Sequence, residues 1–196
     1  MKKVIRKGVL MLSILTTMAS YASKVSYTST TTGIKKTVLI LENVKKGHQL
    51  KIIDSNGIVL YKEQIAKSGN YVKDFDLTTL PNGDYFFELD KDCEIKITPF
   101  KVANSVVTFN KDNGKIIFKP VVHKRGDTVY VSRFSFNGNP INFKIYYEDS
   151  PEFIVKEKFE NEKNIGRVYD FSKARKGNYK IVFKTEGRVF VENINI

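Results

Sequence analysis

The stretch "FDLTTLPNGDYFFEL", Phe75 to Leu89, has an echo 94 residues later in "YDFSKARKGNYKIVF", Tyr169 to Phe183. Each begins as an alternating apolar strand, passes through a turn and ends in a second alternating strand. In "LPNGDY", Pro81 presets φ near about −65° for the first central position of a turn, and Asn82 and Gly83 tolerate the rest. Leu80 is placed to tuck under the turn, and Tyr85 starts the next strand. This is the layout of the tyrosine corner of sandwich folds, in which a tyrosine hydroxyl bonds back to the backbone of the preceding loop. The second copy keeps Gly177 and Tyr179 but has Ala174 and Arg175 in place of the Leu and Pro, which predicts a looser corner. Both tyrosines are read as structural rather than ligand-binding.

Upstream of the echo, "LKIIDSNGIVLYKEQI" (Leu50 to Ile65) faces "FKIYYEDSPEFIVKEKF" (Phe143 to Phe159), each a strand, a turn and a strand. "YVKDFDL" then matches "IGRVYDF", and "DKDCEIKITPF" matches "KTEGRVFVENI", with Cys93 opposite Gly187 in a turn. Upstream, "KVSY" (Lys24 to Tyr27) pairs with "KIIF" (Lys115 to Phe118), and "KTVLILE" with "TVYVSRF". Short runs rich in Ile, Val, Phe and Tyr alternate with Gly, Asn, Asp, Ser and Lys, the mark of strands with one buried face. The chain is therefore expected to be all-β: two tandem immunoglobulin-like antiparallel β-sandwiches of about seven strands each. Leu50, Ile52, Val59 and Phe75 are expected on inner faces. Residues 23–112 form the first module and 113–196 the second, with the boundary inside Ala103 to Ile116. "YTSTTTG" reads as a polar loop between the first two strands.

Residues 1–22, "MKKVIRKGVLMLSILTTMASYA", have the layout of a secretory signal peptide. Four basic residues precede an apolar run from Val9 to Met18, and Ser20 and Ala22 are small residues before a cut. The run is shorter than the ~20 residues of a spanning helix, and no later segment is long and apolar enough to span. Cleavage leaves 29 basic and 21 acidic residues, net +8, with the excess in the second module. Export sets nucleic acid aside as a partner, and the dispersed lysines read as solvated, edge-protecting residues.

The first module resembles the sandwich of type IX secretion sorting domains of Bacteroidetes, on "LKIIDSNGIVLY" followed by "FDLTTLPNGDYFFEL". The whole chain also resembles small exported flavobacterial proteins with two such modules. The resemblance implies a fold. It implies a sorting signal less, because the better match is internal and "RVFVENINI" lacks the basic residues expected near a sorting C-terminus. Cargo of type IX secretion is the alternative reading.

The residues of reactive chemistry are few. A single cysteine, Cys93, cannot form an internal disulfide, and its neighbours Asp90, Asp92 and Glu94 oppose a thiolate. His48 and His123 fall at unrelated positions without acidic or Cys neighbours at ligand spacing, so no metal site is expected. The three carboxylates of "DKDCE" lack the glycine and ligand count of a calcium loop. No nucleophile elbow, zinc helix or phosphate loop occurs. The expectation is a non-enzymatic, exported protein with no catalytic, cofactor or metal residues. Its role is binding or structural, in the periplasm or at the cell surface. The sequence does not identify its ligand or partner, and leaves an anionic glycan or another envelope protein as the open classes. "SKARKG" (Ser172 to Gly177) is the densest basic cluster and the place where an anion would meet it. A small glycan-acting hydrolase is the reading from another class.

Overall fold

The computed structural model describes residues 36–110, 113–148 and 150–196, together with the backbone of 5–6 and 25–29. The signal peptide expected at 1–22 lies outside the described residues, apart from the backbone of Ile5 and Arg6, and so does most of "YTSTTTG". The chain is all-β with antiparallel sheets, and the one helical turn among the described residues is a 3-10 turn at Leu77–Thr79. It divides into two compact units between Ile116 and Ile117.

In the first unit, β2 (Val25–Ser29), β3 (Thr37–Val44) and β6 (Gly69–Phe75) make a three-stranded sheet in the order β2-β3-β6. The second sheet runs β5 (Val59–Gln64), β4 (Gln49–Asp54), β7 (Gly83–Asp90), β8 (Glu94–Ala103), and both β9 (Val106–Phe109) and β10 (Lys115–Phe118) bond to β8. The second unit repeats the plan. One sheet is β15 (Asn164–Asp170), β12 (Thr128–Phe134) and β11 (Val121–Arg125), with the two-residue β1 (Ile5–Arg6) on β15. The other runs β14 (Phe153–Phe159), β13 (Ile141–Tyr147), β16 (Asn178–Thr185), β17 (Arg188–Asn195).

This topology corrects one pairing of the copies. β2 bonds to β3 as β11 bonds to β12, so the partner of "KVSY" is "VVHKR" and not "KIIF". "KIIF" is β10, an addition to β8. Both runs alternate in the same way, and alternation does not say which neighbour a strand takes.

Period-two burial builds each core. Leu39 and Leu41 of β3 face Leu50, Ile52, Phe87, Leu89, Phe100 and Val102 of the opposite sheet. In the second unit Val129, Val131, Ile165 and Tyr169 face Ile141, Phe143, Ile145, Ile181 and Phe183. Leu50 and Ile52 are buried as expected and Phe75 is half-buried, but Val59 is exposed. The β4–β5 register shifts between Ile52 and Ile53, and that irregularity turns Val59 to the outer face. β16 and β17 pair without a register break from Asn178↔Asn195 to Thr185↔Arg188. Phe190 and Ile194 therefore pack on the core, while Val189 and Val191 point outward.

The corner is closed equally in both copies. The Tyr85 hydroxyl donates to the Pro81 carbonyl at 2.8 Å, and the Tyr179 hydroxyl donates to the Arg175 carbonyl at 2.6 Å. The expected loosening of the second is absent because the acceptor is a main-chain oxygen, which any residue supplies. Ala174 is buried at the position of Leu80, and the Arg175 guanidinium sits 4.8 Å from the Tyr147 ring. Both tyrosines are buried, as structural residues are.

Candidate functional site

Strands β5 and β6 lie in different sheets, and a polar cluster joins them. Lys73 donates to Glu63 at 2.5 Å, Tyr71 donates to the same oxygen at 2.9 Å, and Tyr61 adds a third bond to it. The Lys73 ammonium and then the Tyr61 hydroxyl hold the Glu63 carboxyl down at about 2. Burial, and next the Glu63 carboxylate, push Tyr71 above the usual phenol range. The second unit keeps the pair at the matching places. Arg167 approaches Glu157 at 3.9 Å and Glu162 at 3.2 Å, and Tyr169 donates to Glu157 at 3.1 Å. A tie present in both copies at the same place belongs to the fold rather than to a ligand.

The turn acids diverge. Asp92, in the β7–β8 turn, bonds Lys45 at 2.9 Å and lies 3.6 Å from His48 Nε2. Asp92 does not stand at ligand spacing from His48 in the sequence; the contact joins two hairpin turns far apart in it. His48 Nδ1 accepts from the Lys45 N–H at 3.1 Å, and burial lowers its pKa despite Asp92. Lys45 in turn holds the Asp92 carboxyl below its usual range. The matching acid of the second copy is Glu186, which binds Arg133 at 2.8 Å with both side chains buried (6 % and 1 % exposed). Arg133 also donates to the Asn139 carbonyl at 2.9 Å. It occupies the place that Leu41 fills in the first core, since Leu41 faces Tyr71 and Arg133 faces Ile165. Cys93 is an exposed free thiol. His123 is on a strand surface with its ring 6.3 Å from that of Tyr130. Among the described residues no three His, Cys, Asp or Glu side chains converge to hold a metal.

The outer faces of the β5-β4-β7-β8 and β14-β13-β16-β17 strands contrast most. In the first unit Lys51 of β4 meets Glu88 of β7 at 3.0 Å, and Asp90 follows one rung on. The places of Glu88 and Asp90 are taken by Val182 and Lys184 in the second unit, and Phe86 by Lys180. The register there sets out three rungs across β14, β13, β16 and β17. They read Lys158, Asn142, Lys184, Val189; then Lys156, Lys144, Val182, Val191; then Phe153, Tyr146, Lys180, Asn193. No carboxylate stands in them. Lys158 reaches Glu160 beyond the end of β14, whereas Lys144, Lys156, Lys180 and Lys184 form no ion pair among the described residues. Rings stand in for acids: Lys144 and Lys156 lie 5.3 and 5.6 Å from the centre of Phe153, and Lys180 lies 5.6 Å from that of Tyr146.

At the Lys180 end of this face a groove of about 610 Å³ is lined by Glu148, Asn178, Tyr179, Lys180, Asn193, Ile194 and Asn195. Asn195 donates to the Asn178 side chain at 2.7 Å across the strand pair. The loop "SKARKG", by contrast, is partly engaged. Lys176 bonds Asp127 at 2.8 Å and Arg175 covers Tyr147. The sequence signal for the sheet face was Lys at alternate positions of β14 and at Lys180 and Lys184 of β16. Alternation placed them outward but did not bring the strands side by side.

No protein-family model and no curated protein matches this sequence. Among solved structures, the chain is similar to a human OSCAR ligand-binding domain at 12 % identity over 89 % of this chain and 97 % of that one, with a TM-score of 0.26. It is similar to the BSP domain of a biofilm-associated protein at 12 % identity over 88 % of this chain, with a TM-score of 0.28. The match spans 29 % of that second chain.

Proposed function

We propose that this chain is an exported, non-enzymatic β-sandwich protein of the cell envelope, and that its second unit binds anionic polymers on the outer face of the β14-β13-β16-β17 sheet. One observation carries the reading. Lys144, Lys156, Lys180 and Lys184 share a face with no carboxylate, while the duplicate face has Lys51 paired with Glu88. Lys144 and Lys156 stand directly opposite each other, and like charges so placed are destabilising. Edge protection accounts for Lys156 and Lys158 on the edge strand β14. It does not account for Lys144, Lys180 and Lys184, which are on the interior strands β13 and β16. A partner of opposite charge removes the repulsion and draws the face toward it.

Export is supported by the basic, apolar and small-residue layout of residues 1–22. N-terminal sequencing of the exported protein tests this; a mature chain starting at Ser23 is expected, and a retained Met1 would sink it.

Binding is tested by retention on immobilised dextran sulfate in a salt gradient. The double variant Lys144→Glu/Lys184→Glu should elute at much lower salt than the parent. Lys62→Glu, at the place in the first unit that matches Lys156, should elute close to the parent. Co-elution of all three proteins would remove the second-unit face as the binding surface.

A further inference from the structure

We infer that the groove beside Lys180 holds a sugar ring, so that the anionic polymer is an acidic polysaccharide lying along the lysine face with one residue seated in the groove. This rests on the polyanion reading of that face and names its ligand class.

The groove and the face are one surface. Lys180 and Asn193 pair across β16 and β17 and line both. Along β16, Lys180 and Lys184 are four residues apart, about 13 Å at 3.3–3.4 Å per residue. Strands side by side are about 4.8 Å apart, so Lys144 and Lys156 extend the charge across the sheet. A single small anion meets one or two of these ammonium groups. A linear polymer with repeating charge meets them all.

The groove has a different chemistry from the face. It brings together three carboxamides, Asn178, Asn193 and Asn195, from two neighbouring strands. A carboxamide both donates and accepts, which suits hydroxyl groups, since each hydroxyl also does both. Asn195 and Asn178 already bond to each other, and that bond fixes their planes while each keeps further capacity. Glu148 on the wall accepts from hydroxyls and repels anions. A uniformly charged chain such as polyphosphate has no group for this end of the site. A polysaccharide supplies hydroxyls to the groove and carboxylates or sulfates to the lysines. The volume, about 610 Å³, falls within the ~300–1,000 Å³ of small-molecule sites.

An anionic membrane is the competing partner for a lysine face that also has Phe153, Val189 and Val191 exposed. Glu148 on the groove wall weighs against it, because a sheet of headgroup phosphates would bring like charge against its carboxylate.

The test uses the mature full chain and four probes: alginate as a polyuronate, dextran sulfate, inorganic polyphosphate, and vesicles of phosphatidylcholine with phosphatidylserine. Asn193→Ala and Asn195→Ala change exposed side chains, and thermal melts confirm folding of each. Affinity for alginate should fall about tenfold in each groove variant, in line with the loss of hydrogen bonds to a bound ring, and several-fold less for polyphosphate. Lys144→Glu/Lys184→Glu should lose both. If the groove variants bind alginate like the parent while the lysine variant fails, the groove inference is wrong and the polyanion face stands. If parent and lysine variant bind all probes equally, the face itself is wrong and the inference falls with it. Tighter binding to vesicles than to either polysaccharide would overturn it in favour of a membrane.

Discussion

In the first unit Lys51 reaches Glu88 at 3.0 Å; at the same place in the second, Lys144 faces Val182. The two sheets share strand order β5-β4-β7-β8 and β14-β13-β16-β17, the same tyrosine corner and the same carboxylate–cation tie between sheets. What differs is where charge sits. The first copy buries an ion pair on its outer face, Lys51 with Glu88 (17 % and 1 % exposed), and keeps an exposed one, Asp92 with Lys45, at the turn. The second buries the turn pair, Glu186 with Arg133, and leaves its outer face positive. Strand order, corner and tie are common to both copies. Charge has been redistributed between the copies.

The turn acids give the largest expected contrast. Glu186→Ala leaves Arg133 buried without its carboxylate and should cost about 3–5 kcal/mol. Asp92→Ala removes an exposed pair and should cost about 0–1 kcal/mol. Denaturant melts of the two variants check this, and equal losses would break the distinction between a buried and a solvated pair.

Next comes conversion of one face into the other. Val182→Glu with Lys184→Asp restores the acids of the first copy and changes the face by three charge units, one from the first substitution and two from the second. At about 1 kcal/mol for each charge near an anionic surface, affinity for a sulfated or carboxylated polymer should drop on the order of a hundredfold. Stability should hold or rise, since Lys144 regains a cross-strand partner worth about 0.2–1 kcal/mol. Unchanged binding, measured by titration with dextran sulfate, would mean that the divergence of the faces has another cause.

The corners should behave alike. Tyr85→Phe and Tyr179→Phe each remove one hydroxyl bond to a main-chain carbonyl, at about 0.5–1.5 kcal/mol. Chemical melts that show Tyr85→Phe costing clearly more would restore the looser second corner that Leu80 and Pro81 suggest from sequence.

The smallest effect is the inter-sheet tie of the first unit. Glu63 is held at about 2, below the usual carboxylate value of 4.5, chiefly by Lys73. A lowered folded-state pKa adds stability that is present above the unfolded value and disappears as pH falls from about 4.5 toward 2. Partial exposure keeps the gain at about 1 kcal/mol or less. Glu63→Gln should flatten the pH dependence of the melting temperature in that window and leave it unchanged in slope between pH 6 and 8. An identical acid limb in the variant would exclude Glu63 as its source.

Fold class, duplication and corner were legible in the residues alone. Each rests on local chemistry: period-two alternation, turn residues at fixed spacing, and a tyrosine four residues after the carbonyl that it binds. The sequence also located the β7–β8 turn through Cys93 and Gly187. Tertiary structure decided what depends on neighbours. "KIIF" and "VVHKR" alternate alike, and only pairing showed which one repeats β2. Val59 left the core through a register shift that no composition announces. His48 met Asp92 across two turns, and Arg133 met Glu186 across 53 residues. The lysine face needed two hairpins, β13-β14 and β16-β17, to lie side by side. Alternation tells a side chain which way to point relative to its own strand. The strands beside it are chosen by long-range packing of the core, and charge that gathers on a surface follows that choice.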